Sequence, residues 1–581
     1  MSSSEHLDPE ATVAGSFSEQ ATIRPEAPAV WGLDGERDLT YGQLHQSAQR
    51  VAAGLRAAGA EPGDVVGILL PRSVEYVVAT LGVLFAGCGC LPLNPRDPSS
   101  RIASVLAENS VSTVVAVSAE GHEYSASVLE IGQLLRGSVR DVEAPWAAED
   151  LAFIFATSGS TGTPKSVRLS NSACATQLPW VQSTLALSVG DVHLFKSSPS
   201  FVSVLRHIIW PLLTGGSVVV LPDGRERDFR YLASTIVDRG VTVAIFMPSS
   251  LRLVLDHLRR MDAGALRHVI CGGEVLDVDL QRDVFSLSPE LALHNMYGLS
   301  EAPLVTHWEC SRAAVEAAPI GFPVPGVEVA IGGDGTLSVR GAIFDGYTGY
   351  DPRSTDGWFV TGDVVGRKGE DGPLFIRGRA DNMVKIRGFR VEPGEIEAVL
   401  LRHPQVRDAI IEAQERSAGP ELVAHVVADA PQSELRDYVA GALPVYMVPA
   451  RWQILDSFPL LENGKVDRQS LRRGLEVAMQ NTATISGPAA PAEVDEGGDR
   501  LDSQIRQIWE KVLGVQPIGI DQEFRSLGGD SLQAIEIAME VESLVGRELP
   551  FEVFAESPTV RALASACRTV LAEAGSSGDS E

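Results

Sequence analysis

From Ala29 to about Gly474, short uninterrupted apolar runs such as Val65–Leu70 and Ser217–Leu221 alternate with longer stretches of helical spacing. Runs without polar alternation suit strands buried on both faces, so the pattern predicts α/β layering around mainly parallel sheet. Tyr76 to Leu93 carries no charge over about the 18 residues of a membrane span. Its internal glycines and closing Leu91-Pro92-Leu93 make it a buried helix running into a buried strand instead. Past Asn481 the periodicity stops, and NTATISGPAAPAEVDEGGD reads as a flexible linker. Helical spacing then returns three times, in Leu501, Ile505, Ile508, Trp509 and Val512, in Leu532, Ile535 and Met539, and in Val560, Leu563 and Ala564. No internal repeat is visible.

Length and charge sharpen this picture. At 581 residues the chain holds at least two folded units. With 44% hydrophobic and 21% charged residues, most of it builds a core. A formal net charge of −28 argues against binding a phosphate backbone, so no nucleic-acid partner is expected. The segment from Glu493 onward is itself anionic, with 18 acidic and 7 basic residues. Six scattered cysteines suggest buried thiols in a reducing compartment, and the Ser/Glu-rich N-terminus lacks the order of a signal peptide. We therefore expect a cytoplasmic protein with no membrane partner.

The strongest chemical signal is Phe155-Ala156-Thr157-Ser158-Gly159-Ser160-Thr161-Gly162-Thr163-Pro164-Lys165, directly after the apolar Leu151–Phe155 run. Small residues let backbone N–H groups converge on an anion, hydroxyls add donors and Lys165 adds a mobile positive charge. The loop is built to hold phosphates, without the GxxxxGK[ST] spacing of a P-loop.

This loop resembles the phosphate-binding signature of the adenylate-forming superfamily: acyl-CoA synthetases, luciferases and the adenylation domains of nonribosomal peptide synthetases. Further motifs follow in that family's order over about residues 20 to 475. Asn295-Met296-Tyr297-Gly298-Leu299-Ser300-Glu301 is similar to its YGxTE motif. The resemblance implies that Tyr297 stacks on adenine, Ser300 contacts the α-phosphate and Glu301 holds Mg2+. Gly272-Gly273-Glu274 resembles the turn lining the adenine, and Asp356 to Asp363 the segment whose last aspartate binds both ribose hydroxyls. Arg377 to Pro393 is similar to the family hinge, which implies that Arg379 contacts the nucleotide and Asp381 is the pivot of a small C-terminal lobe. The turn would bring the Lys385 segment in and swing Lys465 out. Lys465, in Pro459 to Asp467, resembles the catalytic lysine that bridges substrate carboxylate and α-phosphate.

Leu527-Gly528-Gly529-Asp530-Ser531 in the anionic helical unit looks like the LGGDS motif of carrier domains, where Ser531 would accept a 4'-phosphopantetheine arm. A plain helix N-cap at Asp530 or Ser531 is the alternative reading. The implied architecture is a large α/β adenylation lobe (20–380), a small α+β lobe (381–475), a linker (476–500) and an all-α carrier bundle (501–574).

Matching the family's acid-binding positions gives Val202, Ser203, Arg206, Phe246, Ile270, Gly272, Met296, Leu304 and Val305. Amino-acid-activating relatives carry an aspartate at the Val202 position, where it pairs with the substrate ammonium. Valine there would cost a buried ammonium its counter-ion. Arg206 wants a carboxylate or another acceptor unless it points outward or pairs with a protein acid. The expected substrate is a short carboxylic acid without an α-amino group and with a polar or anionic substituent, activated with ATP and Mg2+ and passed as a thioester to the Ser531 arm. The alternatives are an unusual amino acid, a free acyl-CoA ligase, and a carrier scaffold whose adenylation domain is inactive. Expected partners are a phosphopantetheinyl transferase, downstream condensation, tailoring or release enzymes, and a small activator protein.

Overall fold

A computed structural model describes residues 12–576, apart from 121–123, 140–141, 143–146, 160–163, 314–315, 342, 370, 387–388, 415–419, 460–465, 474–499, 514–516, 525–526, 528–533, 535–536, 539, 542–543 and 546–558. The chain divides into two compact units. The first holds residues 1–399 with 415–420 and 437–448, and the second holds 400–414, 421–436 and 449–581.

The first unit is built on the expected parallel sheets. A nine-stranded sheet runs in the order Phe322–Pro323, Ala302–Glu309, Ala292–Leu299, His268–Cys271, Val243–Phe246, Val192–Phe195, Ser217–Val220, Pro28–Trp31 and Leu39–Thr40. Its central strands are parallel and its edges antiparallel. A six-stranded sheet holds Val65–Leu69, Gly89–Pro92 and Leu151–Thr157 at its centre. The uncharged Tyr76–Leu93 run forms the buried helix Val74–Phe85, capped by the Ser73 hydroxyl, and then the buried strand Gly89–Pro92. Crossover helices cover the faces of a parallel sheet, and this is why those strands read as unbroken apolar runs. A four-stranded antiparallel sheet, Val327–Ile331, Thr336–Gly341, Phe359–Arg367 and Leu374–Arg379, leads to a two-stranded hairpin, Val384–Ile386 with Phe389–Val391.

The division at 399/400 falls later than the lobe boundary expected at 380/381. The hairpin and the helix Pro393–Leu400 are tied into the first unit by two pairs. Arg101 meets Glu395 at 2.6 Å with both side chains buried, and Phe389 packs edge-on against Phe201 with ring centroids 4.9 Å apart.

In the second unit Val406–Gln414, Glu421–Ala428 and Arg451–Leu455 form a three-stranded sheet. Near the C-terminus, helices Arg500–Leu513 and Val560–Ser576 enclose a core of Ile505, Trp509, Leu513, Val560, Leu563, Ala564 and Cys567. Ile537 and Val541 join this core, whereas Leu532, Ile535 and Met539 lie outside the described residues. All six cysteines are buried and unpaired. No helix among the described residues is long and apolar enough to cross a membrane.

Candidate active site

Strands Leu151–Thr157 and Lys165–Ser170 pair antiparallel with Thr157 opposite Lys165, which makes 158–164 the connection they close. Ser160, Thr161, Gly162 and Thr163 lie outside the described residues. The near end of the loop is pinned. Ser158 Oγ donates to the Arg390 carbonyl at 2.9 Å, and Gly159 N–H donates to Glu395 Oε2 at 3.2 Å. Lys165, read from the sequence as the loop's mobile positive charge, opens the return strand, and its Nζ lies 5.7 Å from the Tyr347 ring centroid.

Strands Ala292–Leu299 and Ala302–Glu309 form a hairpin in which Leu299 faces Ala302, leaving Ser300 and Glu301 at the turn. The turn demands glycine at 298, because a Cβ there would stand 2.2 Å from the Pro303 carbonyl oxygen. It places the Glu301 carboxylate in complete burial. A buried charge needs partners. Glu301 has three contacts: Tyr347 Oη donates to Oε1 at 2.5 Å, and Arg390 donates one nitrogen to both oxygens at 3.0 Å. Burial and the neighbouring Glu301 together push the Tyr347 phenol far up. Burial works against the Arg390 charge, but Glu301, Tyr347 and Glu392 together outweigh it and the guanidinium is held more firmly protonated.

A second carboxylate centre adjoins the hinge. Tyr297 Oη donates to Asp363 Oδ2 at 2.5 Å, while Arg379 donates to Asp363 Oδ1 at 2.6 Å. The same guanidinium forks onto Asp381 at 2.7 and 2.6 Å, so Arg379 ties the ribose-position aspartate to the hinge aspartate. Strand register supplies the closeness, since Asp363 and Arg379 are cross-strand partners. Gly362 has φ +78°, and a Cβ there would lie 2.6 Å from Asp381 Oδ2. Lys385, cross-strand from Arg390, is half-buried. Burial lowers its pKa, Asp363 and Glu274 oppose that, and Arg379 and Arg390 reinforce it. Tyr297, Glu301, Asp363, Arg379 and Lys385 are thus brought together.

The adenine-side residues are positioned by neighbours of their own. Glu274 accepts from Ser249 N–H and Oγ at 3.0 and 3.1 Å, after Gly273 at φ +86°. Asn295 Nδ2 donates to the Pro319 carbonyl at 2.9 Å. Lys465 lies outside the described residues. The ends of its loop meet, because Asp467 N–H donates to the Pro459 carbonyl at 2.8 Å and the Asp467 carboxylate caps the next helix through Ser470. Ser531 also lies outside the described residues.

At the expected acid pocket, Phe246, Ile270 and Met296 are buried on three adjacent strands, and Leu304 and Val305 are fully buried on the next strand of the same sheet. Val202 and Ser203 lead into the short helical turn Leu205–Ile209, which carries Arg206. The Arg206 guanidinium is directed inward. It donates to the Pro303 carbonyl and lies 5.7 Å from the Trp210 ring centroid, and a Cβ on Gly272 would stand 4.0 Å from its nitrogen. Burial pulls its pKa down to about 10, and among the described residues it has no acidic partner. Arg206 is thus turned toward the Pro303 carbonyl rather than outward, and no acidic partner is found for it among the described residues.

Sequence reasoning missed three residues. Lys196 is 9% exposed, with its ammonium 4.6 Å from the Phe246 ring centroid and no ion pair among the described residues. Burial, then Arg72, lowers its pKa to about 8. A lone lysine ending an apolar strand was the available signal. Arg390 lay inside the hinge motif without an assigned task. Nothing local marks Tyr347.

Comparison with known proteins identifies this assembly. A family model of AMP-binding enzymes matches residues 17–349, the AMP-binding enzyme C-terminal domain matches 395–465, and the phosphopantetheine attachment site matches 503–567. Phosphinothricin tripeptide synthetase PhsB of Streptomyces viridochromogenes is 33% identical over 96% of this chain. Tyrocidine synthase 3 of Brevibacillus parabrevis is 31% identical over 95% of it. The chain spans only 49% and 9% of those two proteins. Among solved structures, a holo NRPS protein containing adenylation and PCP domains, bound to a vinylsulfonamide inhibitor, superposes with a TM-score of 0.80. At 24% identity, covering 97% of this chain and 98% of that one, the likeness is one of fold. An artificially fused adenylation–PCP di-domain from Klebsiella oxytoca gives 0.69 at 23% identity, covering 83% of this chain and 98% of that one. The chain belongs to the AMP-binding enzyme family, in the adenylation-plus-carrier arrangement of nonribosomal peptide synthetases.

Proposed function

We propose that the chain activates a short carboxylic acid that lacks an α-amino group and carries an anionic substituent, then loads it onto its own carrier domain. The observation that carries the substrate reading is the pair of inward cations, buried Lys196 and half-buried Arg206, neither of which has an acidic partner among the described residues. An unpaired buried cation is costly, and a substrate anion would relieve that cost. Val202 leaves no carboxylate where amino-acid-activating relatives hold the substrate ammonium. Clustering of Tyr297, Glu301, Asp363 and Arg379 supports the adenylation reading over an inactive scaffold, because a decayed site would have lost these charges.

In the first step the substrate carboxylate attacks the α-phosphorus of ATP, releasing pyrophosphate and forming an acyl-adenylate. The 158–165 loop holds phosphates, Tyr297 stacks on adenine, Asp363 accepts the ribose hydroxyls, and Lys465 stabilises charge on the α-phosphate. A single buried carboxylate, with nucleotide phosphates completing the shell, fits the oxygen ligands Mg2+ requires, so Glu301 would hold the metal. Bound there, Mg2+ would screen the phosphate charge. The hinge at Asp381 then exchanges Lys465 for the Lys385 strand. A phosphopantetheine arm on Ser531, installed by a separate transferase, would supply the thiol that displaces AMP. Downstream condensation, tailoring or release enzymes would then take the acyl group.

The test is acid-dependent pyrophosphate exchange across amino, hydroxy, keto, dicarboxylic and aryl acids, with intact-mass detection of the loaded holo protein. A non-amino anionic acid should give the leading signal, and its acyl mass should vanish in Ser531→Ala. Signal from an ordinary α-amino acid alone would sink the substrate reading. Unchanged acid ranking in Arg206→Ala would sink the role of the anionic substituent.

A further inference from the structure

The short segment Phe344 to Thr348 lies against the strand that returns from the phosphate loop. Asp345 N–H donates to the Arg168 carbonyl at 2.8 Å, Arg168 N–H to the Gly346 carbonyl at 3.1 Å and Thr348 N–H to the Ser166 carbonyl at 2.9 Å. The segment is thus a brief antiparallel addition to Lys165–Ser170, with Tyr347 bridged to Val167. Gly346 permits this path, since its φ of +95° would strain any other residue. Thr348 Oγ1 adds a bond to Asn109 Oδ1 at 2.7 Å, and Asn109 Nδ2 donates to Ser166 Oγ at 2.8 Å. At its other end the segment holds the turn that carries Glu301, because Phe344 N–H donates to the Glu301 carbonyl at 2.7 Å. It therefore straps the phosphate-loop strand of the six-stranded sheet to the hairpin turn of the nine-stranded one.

Tyr347 sits in the middle of this strap and touches a charged group on each side. Its hydroxyl donates to Glu301 Oε1 at 2.5 Å, and its ring lies under Lys165 Nζ at 5.7 Å, within reach of a cation–π contact. The ring is itself held, with Phe344 meeting it edge-on and Tyr350 tilted against it, both at 5.1 Å between centroids. A lysine ammonium is a point charge on a flexible stem, so its resting place is set by what it lies against. A fully buried carboxylate likewise takes the orientation that its donors impose. Phenylalanine would serve for packing between the sheets, whereas the phenol oxygen is directed at the carboxylate. We propose that Tyr347 is a positioning residue for the triphosphate: through hydroxyl and ring it fixes the Glu301 carboxylate and the Lys165 ammonium relative to each other, at the spacing that the phosphates beyond the α-phosphate require. A nucleotide without those phosphates gains little from the arrangement. The inference rests on the reading of the 158–165 loop as the phosphate site.

The test is calorimetric titration of the full chain with two probes, the β,γ-imido analogue of ATP and AMP, in one magnesium-containing buffer. Tyr347→Leu should lower affinity for the analogue by about tenfold and leave AMP affinity within about twofold of the parent. Retained AMP binding also establishes that the variant is folded. Tyr347→Phe, which keeps the ring under Lys165 and loses only the hydroxyl, should fall between parent and Tyr347→Leu. In a Lys165→Ala background Tyr347→Leu should cost less than it does alone, because both changes act on the same phosphates. A parallel loss of both affinities would make Tyr347 merely structural, and an unchanged ratio of the two affinities in Tyr347→Leu would equally overturn the proposal. The underlying reading is tested separately. If Lys165→Ala keeps the parent ratio, the loop is not the phosphate site; if Lys165→Ala lowers it and Tyr347→Leu does not, only the role of Tyr347 fails.

Discussion

The Arg101–Glu395 pair offers the sharpest energetic test of the first unit. Glu395 has a side-chain exposure of 1% and Arg101 of 8%, at 2.6 Å, and the second Glu395 oxygen accepts Gly159 N–H from the phosphate loop. Glu395→Gln keeps the shape and one acceptor but leaves the Arg101 guanidinium buried without its counter-charge. Removing one member of such a pair costs roughly 3–5 kcal/mol. Unfolding entropy is about 2.1 cal/mol/K per residue, so a first unit of roughly 400 residues loses roughly 3–6 °C in Tm. Differential scanning calorimetry of the parent, Glu395→Gln, Arg101→Met and the Arg101→Met/Glu395→Leu double variant measures this. Both single variants should fall by that amount. The double variant should recover most of it, because replacing a whole buried pair by apolar groups is near neutral. Two single losses under 1 °C, or a double variant that merely adds them, would refute the claim that desolvated charge dominates at this contact.

Three further outcomes follow from the geometry. Gly362→Ala must adopt φ +78° and push a methyl carbon to 2.6 Å from Asp381 Oδ2, so ATP affinity by calorimetric titration should fall at least several-fold with the Arg379–Asp381 fork disturbed. Lys196, its pKa lowered to about 8, holds an anion only while protonated, so kcat/KM for the anionic acid should be full below that pH and fall as pH rises through it. Lys196→Met should flatten that limb, and an identical limb in both proteins would rule Lys196 out. Asp467→Ala removes the carboxylate that caps the following helix at Ser470 and should cost about 1 kcal/mol of helix stability, read as a lower Tm of the second unit.

What the chain determines by itself is whatever is local and periodic. The unbroken apolar runs gave the buried strands because burial on both faces removes polar alternation. The ordered motifs, together with the small residues of the 155–165 loop, gave the family, because backbone approach to phosphate restricts residue choice at fixed spacings. The break in periodicity after Asn481 marked the start of a separate helical unit. Tertiary structure decided the rest. Whether Arg206 is turned inward depends on the Pro303 carbonyl, 97 positions away in sequence and adjacent in space. The link from Tyr297 through Asp363 and Arg379 to Asp381 exists because distant strands fall into one register. Nothing in the hinge motif says that Arg390 meets Glu301, since that contact spans 89 positions. Charge pairing is set by distance and burial, and neither is a property of local sequence.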